Sequence, residues 1–186
     1  FSMMSVLHIM EKLGLSIDEI ESLTGPAIGR PKSATFRTAD VVGIDTLVKV
    51  AKGVADNCPN DEAKNIFTLP SWLEKMVEQN WLGDKTGQGF FKKVKTANAK
   101  EILTLNLSSF EYQPRIKTKF ASIAAAKNIE SLPLRIKSLY KATDKGGEFI
   151  RAFHHALFSY IGFRIPEISD ELYRLDDALK AGFGWE

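Results

Sequence analysis

The stretch that decides the fold is GDKTGQGFFKK, residues 83–93, which holds three glycines, two phenylalanines and a lysine-threonine pair. A Walker phosphate loop needs the order Gly-x-x-x-x-Gly-Lys-Ser/Thr with a helix after it. A dinucleotide-binding loop needs Gly-x-Gly-x-x-Gly between a strand and a helix. Here the lysine precedes the second glycine, and strand-like residues follow the loop. The pattern therefore favours a tight structural turn with positive φ at its glycines, which places Phe90 and Phe91 in a packed edge.

Helical patterns fill the residues before this turn. Apolar residues spaced by three and four predict a helix over 1–13 that ends at Gly14. Ser16 and Glu19 form a capping-box pattern at the start of a short helix, which ends near Gly25. The sequence also predicts a helix over 33–42 ended by Gly43, a helix capped by Asp45, a loop over 56–69, and a helix from a second capping box at 71–74 to about Gln79.

The character of the sequence changes after the turn. The runs GFFKKVK, EILTLN and FEYQP are short and rich in β-branched and aromatic residues, so they predict a small hairpin or extended arm over 89–114. The predicted fold is therefore mostly α with one β excursion. Further helices are predicted over 121–128, 132–141, 148–163 and 167–181, with a break over 144–147.

A faint internal repeat links the two ends of the chain. LSIDEIESLTGPAIG, residues 15–29, resembles EISDELYRLDDALKAGFG, residues 167–184. Both have an amphipathic acidic helix followed by glycine and then an apolar residue with glycine. On pattern alone, a chance similarity of two amphipathic helices is the favoured explanation.

The composition is that of an ordinary soluble globular protein, with 44% apolar and 26% charged residues and a net charge of +2. Cys58 is the single cysteine, which excludes an internal disulfide and favours a reducing, cytoplasmic location. No apolar run has the length of a membrane span, and the N-terminus lacks the features of a signal peptide. The abrupt apolar start predicts a fragment of a longer protein.

Two segments carry a resemblance to a known family. LGDKTGQGFFKK, residues 82–93, resembles the segment that closes the helical C-terminal domain of 3-hydroxyacyl-CoA dehydrogenases. TADVVGIDTL, residues 38–47, is similar to the aspartate-x-x-glycine-leucine-aspartate-threonine segment of that family. GPAIGRPKSATFRTAD, residues 25–40, and the run from RIPEIS to GFGWE, residues 164–186, resemble the long multifunctional β-oxidation proteins. In those proteins the dehydrogenase is fused to an enoyl-CoA hydratase and the helical domain is duplicated.

The resemblance implies a three-part organisation. It is strongest over 1–95, weaker over 145–186 and weakest over 96–144. Residues 1–95 would form a helical domain of the 6-phosphogluconate-dehydrogenase C-terminal type. Residues 96–144 would be a connecting segment with short strands and helices, and 145–186 an incomplete second helical repeat.

The resemblance also implies what this chain contributes to its parent. The family oxidises (3S)-3-hydroxyacyl-CoA with NAD. Its N-terminal Rossmann domain binds the NAD and carries a catalytic His–Glu pair and a serine, and an asparagine opens the helical domain. No residue here matches these groups, so we expect no catalytic, cofactor-binding or metal-binding residue in this chain. The helical domain would form one wall of the acyl-CoA cleft, pack on the Rossmann domain and hold a homodimer together.

The residues expected on the substrate side are Arg30, Pro31, Phe36 and Asp40. The family commonly has Gly-Pro-Phe-x-Leu before the aspartate helix, and only Phe36 is kept here. Acyl chain-length preference therefore cannot be carried over. Asp40 has a second interpretation, in which its carboxylate accepts backbone hydrogen bonds at a turn between packed helices.

The histidines and the cysteine are predicted to be structural or surface residues. Adjacent His154 and His155 point about 100° apart on a helix and cannot bind one metal. His8 could pair with Glu11 on a helix surface. Cys58 has no histidine or basic cluster nearby in the sequence. Trp72 and Trp81 are predicted to anchor the core or an interface.

A basic segment follows the turn. Between Gly83 and Lys119 there are eight basic and three acidic residues, with interleaved aromatics. This could indicate nucleic-acid binding, but an edge strand guarded by lysines on one face explains it better. The lysines could also attract the CoA nucleotide or a fused hydratase domain.

Two further functions stay open. One is a dehydrogenase of the same superfamily that acts on a smaller 3-hydroxy acid. The other is a non-enzymatic helical interaction module whose basic arm binds an acidic partner or RNA. We expect no nucleic acid among the partners.

Overall fold

A computed structural model describes residues 1–95 and 100–186, and it confirms a mostly helical fold with one small sheet. The helices are α1 (Ser2–Leu13), α2 (Ile17–Leu23), α3 (Phe36–Val42), α4 (Ile44–Asn57), α5 (Ser71–Glu78), α6 (Ala121–Ala126), α7 (Leu132–Lys141), α8 (Lys145–Ile168) and α9 (Leu172–Phe183). The strands are β1 (Phe91–Lys95), β2 (Lys100–Asn106) and β3 (Glu111–Pro114).

The sheet is antiparallel, with the order β1-β2-β3. Phe91 pairs with Thr104, and Leu105 pairs with Tyr112. The predicted hairpin is thus extended by a third strand. The predicted segment of 89–114 includes 96–99, which lie outside the described residues.

One part of the core lies between α1 and α8. Met4, Leu7 and Met10 are spaced along one face of α1, and each is at most 2% exposed. Phe149 and Phe153 of α8 are fully buried in the same cluster. Burial of such side chains is the main stabilising term in a helical domain. The second half of the chain therefore packs on the first helix of the first half.

The local end signals of α1 and α2 are confirmed. Gly14 ends α1 in the left-handed region at φ 62°, and its amide donates to the Glu11 carbonyl. Ser16 and Glu19 form the predicted capping box: the Ser16 hydroxyl accepts from the Glu19 amide, and the Glu19 carboxylate accepts from the Ser16 amide at 2.7 Å.

The start of α3 differs from the prediction. The helix begins at Phe36 rather than at residue 33, because Ala34 adopts a positive φ of 46°. The Glu21 carboxylate then caps the helix from α2. It accepts from the amides of Thr35, Phe36 and Arg37 at 3.1, 2.6 and 3.3 Å. This long-range cap replaces a local one.

Two predicted helix caps are wrong. Asp45 does not cap α4, because Gly43 occupies the N-cap and the Asp45 carboxylate pairs instead with the Lys85 ammonium. Ser71 is the first residue of α5 and its N-cap is Pro70, so no capping box forms there. The predicted loop over 56–69 contains a 3₁₀ turn at Lys64–Phe67.

The last two helices are shifted from their predicted positions. The predicted break between α7 and α8 is present but lies at 142–144 rather than 144–147, because Asp144 accepts from the Gly147 amide at 2.9 Å and starts α8 at Lys145. α8 then runs to Ile168, and α9 follows over Leu172–Phe183. Within the described ranges, no helix is long and apolar enough to cross a membrane.

Candidate functional site

The glycine-rich stretch forms a structural turn, as predicted. Gly83 and Gly87 adopt positive φ of 97° and 79° on either side of a 3₁₀ turn at Asp84–Thr86. The amides of Gly87 and Gly89 donate to the carbonyls of Asp84 and Phe91 at 3.2 and 3.1 Å. The expectation of positive φ does not hold for Gly89. Because both amides are engaged within the chain, they do not point at a phosphate position.

The close approach of Asp40 explains why residues 83 and 89 of the turn are glycines. The Asp40 carboxylate is 2% exposed and accepts from the amides of Phe90 and Phe91 at 2.8 and 2.9 Å. A Cβ atom on Gly83 would lie 2.2 Å from the Asp40 carbonyl oxygen, and one on Gly89 would lie 2.2 Å from Asp40 Oδ1. The two motifs therefore meet at one point, which we call the Asp40 joint.

Electrostatics and packing complete the joint. Burial raises the pKa of Asp40 to about 6, against the opposing effect of the two amides. The Arg37 guanidinium and the Asp84 carboxylate pair through two bonds of 2.7 and 2.6 Å beside it. Phe36 is fully buried, with its ring 4.5 Å from the Phe90 ring. The second interpretation of Asp40, as an acceptor of backbone hydrogen bonds, is the arrangement that forms.

A second region holds the other two predicted site residues. Arg30 and Pro31 line a cavity of about 560 Å³, which we call the apolar groove. Its walls are the start of α1, residues 30–42, and one side each of α8 and α9, ending at Trp185. A volume of this size is typical of small-molecule sites. The structure thus brings Arg30 and Pro31 together and places Phe36 and Asp40 elsewhere, in the core.

Arg30 is the distinctive side chain of the groove. Its guanidinium lies 3.8 Å from the Trp185 ring centre and 4.5 Å from the Phe153 ring centre. It donates one hydrogen bond, of 3.3 Å, to the Ser2 hydroxyl. Burial lowers the pKa of Arg30 to about 10, which leaves the group charged at neutral pH. Stacking on two aromatic rings stabilises the cation without neutralising it.

Sequence reasoning missed the contribution of α8 and α9 to this groove. Leu157 and Ile161 on α8 and Leu179 on α9 face it. No residue of α9 is fully buried, although its apolar residues repeat at helical spacing. That periodicity could have indicated an apolar face, but the sequence does not show which surface the face covers.

The histidines and tryptophans have structural surroundings. His8 Nε2 lies 2.8 Å from the Ile66 carbonyl oxygen rather than pairing with Glu11, whose carboxylate accepts from Trp72 Nε1 at 2.7 Å. His154 is buried, and burial followed by the nearby Arg30 charge lowers its pKa to about 4. Trp81 stacks on Phe110 at 5.0 Å. Among the described residues, no three metal-ligand side chains cluster.

The basic segment is partly as predicted. β1 is an edge strand of the sheet. The clean division into an apolar and a basic face is wrong, because buried Phe91 shares a face with exposed Lys93 and Lys95. Lys92, on the opposite face, is half-buried with its ammonium 5.3 Å from the Tyr112 ring centre.

Comparisons with known proteins identify a family for most of the first half of the chain. The family model described as 3-hydroxyacyl-CoA dehydrogenase, C-terminal domain, matches residues 2–93. A Bacillus subtilis protein named as a 3-hydroxyacyl-CoA dehydrogenase is 39% identical over the whole chain, which spans 23% of that protein. A Deinococcus radiodurans protein of the same name is 44% identical over 54% of the chain and 28% of its own length.

A third relative, more distant in sequence, is named as a multifunctional enzyme. The Rickettsia prowazekii protein, named as a trifunctional enzyme of a fatty acid oxidation complex, is 24% identical over 97% of the chain and 24% of its own length. The chain therefore spans about a quarter of the length of the curated relatives it matches. No solved structure matched the chain at a significant level.

The matched range ends at residue 93, just after Phe90 and Phe91, whose amides bond to Asp40. Both segments that meet at the Asp40 joint therefore lie within the matched range. The chain belongs, through residues 2–93, to the C-terminal domains of the 3-hydroxyacyl-CoA dehydrogenase family.

Proposed function

We propose that this chain forms one wall of the acyl-CoA cleft in an NAD-dependent (3S)-3-hydroxyacyl-CoA dehydrogenase of fatty-acid β-oxidation. The observation that carries the proposal is the apolar groove, which is large enough for an acyl chain and lies in a chain of this family. Arg30 and Pro31 contact the substrate in this proposal. Phe36 and Asp40 act from the core by fixing the start and the course of α3.

The proposal assigns the chemical steps to groups outside this chain and the positioning of the substrate to residues of the groove. NAD, bound by an N-terminal domain outside this chain, supplies the hydride acceptor. A histidine outside this chain takes the proton of the substrate hydroxyl. The residues of the groove exclude water from the acyl chain and hold it in place, which is a positioning role rather than a chemical one.

The partners are part of the same proposal. The trifunctional name of the Rickettsia relative supports a hydratase domain fused in the parent protein. Packing against a Rossmann domain, homodimer formation, a cytoplasmic location and the division at residues 95 and 144 are further expectations of the proposal.

The experiment that tests the proposal is NADH formation from 3-hydroxybutyryl-CoA by the full-length parent protein, with the 186-residue chain alone as the control. We expect activity in the parent and none in the chain. Activity in the chain alone would place a catalytic site within these residues.

If neither protein forms NADH from 3-hydroxybutyryl-CoA, further measurements distinguish the remaining functions. If free 3-hydroxy acids were oxidised and CoA thioesters were not, the parent would be a dehydrogenase of smaller acids. If neither class reacted at any chain length, salt-dependent binding of RNA or an acidic protein would be measured next, as expected for an interaction module.

A further inference from the structure

The charge of the polar side chains in the described lining of the apolar groove is matched by protein groups, with one exception. The Tyr160 hydroxyl donates to Asp61 at 2.8 Å, and the Thr38 hydroxyl donates to the Ala34 carbonyl at 2.7 Å. Arg164 is surrounded by carboxylates: it pairs with Glu62, and Glu167 and Asp61 lie 3.0 and 3.8 Å from it. Arg164 Nε is buried without a hydrogen-bond partner, but its guanidinium lies among carboxylates. The charge of Arg164 is therefore balanced by its neighbouring carboxylates, and neither hydroxyl carries a charge that a ligand could pair with.

Arg30 is the exception. Within residues 1–95 and 100–186, no carboxylate forms an ion pair with it, and burial alone accounts for its lowered pKa. Asp176 and Glu186 line an adjoining cavity that shares Arg30, but Glu186 lies 3.8 Å from Arg135 instead. His154, the other titratable neighbour, is neutral at pH 7 because its pKa is about 4. The charge of Arg30 is thus uncompensated.

The donors of Arg30 also remain available. A guanidinium has five N–H donors in a planar fork that matches a carboxylate. One of the five donates to the Ser2 hydroxyl. None of the Arg30 nitrogens is among the buried side-chain atoms without a partner in the described part of the chain, so its free donors are accessible, and Arg30 lines both the groove and the adjoining cavity.

We propose that the apolar groove binds an amphiphile with one anionic head and an unbranched chain, namely a free fatty carboxylate, with Arg30 as the head-group anchor. The carboxylate forms a bidentate pair with the guanidinium, and the chain lies along the apolar sides of α8 and α9. Charge complementarity favours a free carboxylate over an uncharged ligand of the same length, because the carboxylate pairs with the half-buried cation of Arg30. The proposal rests on the groove of the proposed function, where the fatty carboxylate would compete with the acyl chain of the CoA thioester, but its binding does not require the dehydrogenase reaction.

The test is titration calorimetry of the full-length protein at pH 7.5 with decanoate and with decanol, which matches it in length but carries no charge. We expect decanoate to bind about tenfold or more tightly than decanol, because charge-assisted bidentate bonds are lost in the alcohol. Octanoate should bind about tenfold more weakly than decanoate, since two methylenes are removed from the groove.

Variants locate the head group. Arg30→Met should bind decanoate no more tightly than decanol. Arg30→Lys should keep part of the preference, because it keeps the charge and loses the fork. Lys180→Met is the matched control: Lys180 lines the adjoining cavity, and its loss should leave the preference intact.

Three results would overturn the proposal. The first is equal binding of decanoate and decanol, or no binding of either, by the unaltered protein, as would occur if another part of the parent supplied a carboxylate to Arg30. The second is a preference that survives in Arg30→Met. The third is a preference that Lys180→Met removes. The comparison of ligands on the unaltered protein decides the matter even if a variant fails to fold. A negative binding result would not change the outcome expected in the NADH-formation test of the proposed function.

Discussion

Asp40 and Arg30 are both charged residues in the helical part of the chain, but they differ in how far the protein supplies partners for their charged groups. Both oxygens of Asp40 accept hydrogen bonds from backbone amides; Gly89 leaves space for the carboxylate, and Gly83 leaves space for the Asp40 backbone. The guanidinium of Arg30 has one hydrogen bond, two aromatic neighbours and no carboxylate partner among the described residues.

The difference separates a structural charge from an available one. Removing a fully bonded buried group leaves its partners unsatisfied, which costs more than the bond itself contributes. Removing Arg30, which has no counter-ion among the described residues, takes only one donor from the Ser2 hydroxyl, whereas its charge gains most from a ligand of opposite charge. We therefore expect substitutions at the Asp40 joint to affect folding and substitutions at Arg30 to affect binding.

The largest effect is expected at Gly83. Gly83→Ala would place a Cβ atom 2.2 Å from the Asp40 carbonyl oxygen at a φ of 97°. We expect the free energy of unfolding to fall by about 4 kcal/mol or more, since backbone must move. Gly87→Ala is the control, because it has a positive φ but no atom within 4 Å, and it should cost about 1–2 kcal/mol. Equal losses in urea denaturation would contradict a close-packed joint.

The next effect concerns the carboxylate itself. Asp40→Ala leaves the amides of Phe90 and Phe91 without their acceptor, so we expect a loss of about 3 kcal/mol in the free energy of unfolding. Glu74→Ala, which breaks an exposed ion pair with Lys52, should cost less than about 1 kcal/mol. A loss at Asp40 as small as that at Glu74 would show that the joint does not hold the fold.

The pH dependence of stability follows from two carboxyls. Burial raises the pKa of Glu21 to about 7 and that of Asp40 to about 6, from 4.5 and 3.8. The folded protein therefore holds these protons more tightly than the unfolded chain does. The stabilising contribution is complete below about pH 4 and is lost as the pH rises to about 7.

Thermal unfolding between about pH 5 and pH 7.5 checks this sign. The Tm should fall as the pH rises, and Glu21→Gln should make the fall smaller. Glu78→Gln, an exposed carboxyl on α5, should keep the dependence of the unaltered protein. A Tm that rises over this range would contradict the raised pKa values.

The smallest effect on stability is expected at Arg30. Arg30→Met keeps much of the volume and removes a half-buried charge that has no carboxylate partner among the described residues, so the free energy of unfolding should change by less than about 1 kcal/mol or rise. Chemical denaturation of the variant beside Asp40→Ala tests the contrast directly. A loss above about 2 kcal/mol would mean that Arg30 is a structural charge like Asp40.

The sequence predicts what local chemistry determines. The stop of α1 at Gly14 and the capping box at Ser16 depend on residues within one turn, and both are confirmed. The start of α3 depends on Glu21, fourteen to sixteen positions before the amides it caps, and no local pattern shows it. The run FEYQP already indicates β3, and only the pairing of that strand with β2 required the structure.

The candidate site divides in the same manner. The family motifs identify Arg30, Pro31, Phe36 and Asp40 as one group, but tertiary packing separates them into a groove and a joint. Opposite the first two stand Leu157 and Leu179, which lie more than a hundred residues later in the chain. Only packing of α8 on α1 brings them near, and a single sequence does not encode that contact visibly.

The groove as a wall of the acyl-CoA cleft is tested most directly by kcat/KM of the full-length protein for 3-hydroxybutyryl-CoA and 3-hydroxydecanoyl-CoA. Two exposed valines offer a matched pair: Val42 lines the groove at 57% exposure, and Val50 lies outside it at 59%. We predict that Val42→Trp lowers kcat/KM about tenfold for the long substrate and less than about twofold for the short one, because the indole displaces distal methylenes. Val50→Trp should change neither value. Equal chain-length dependence in both variants and the unaltered protein would contradict an acyl-binding role for the groove.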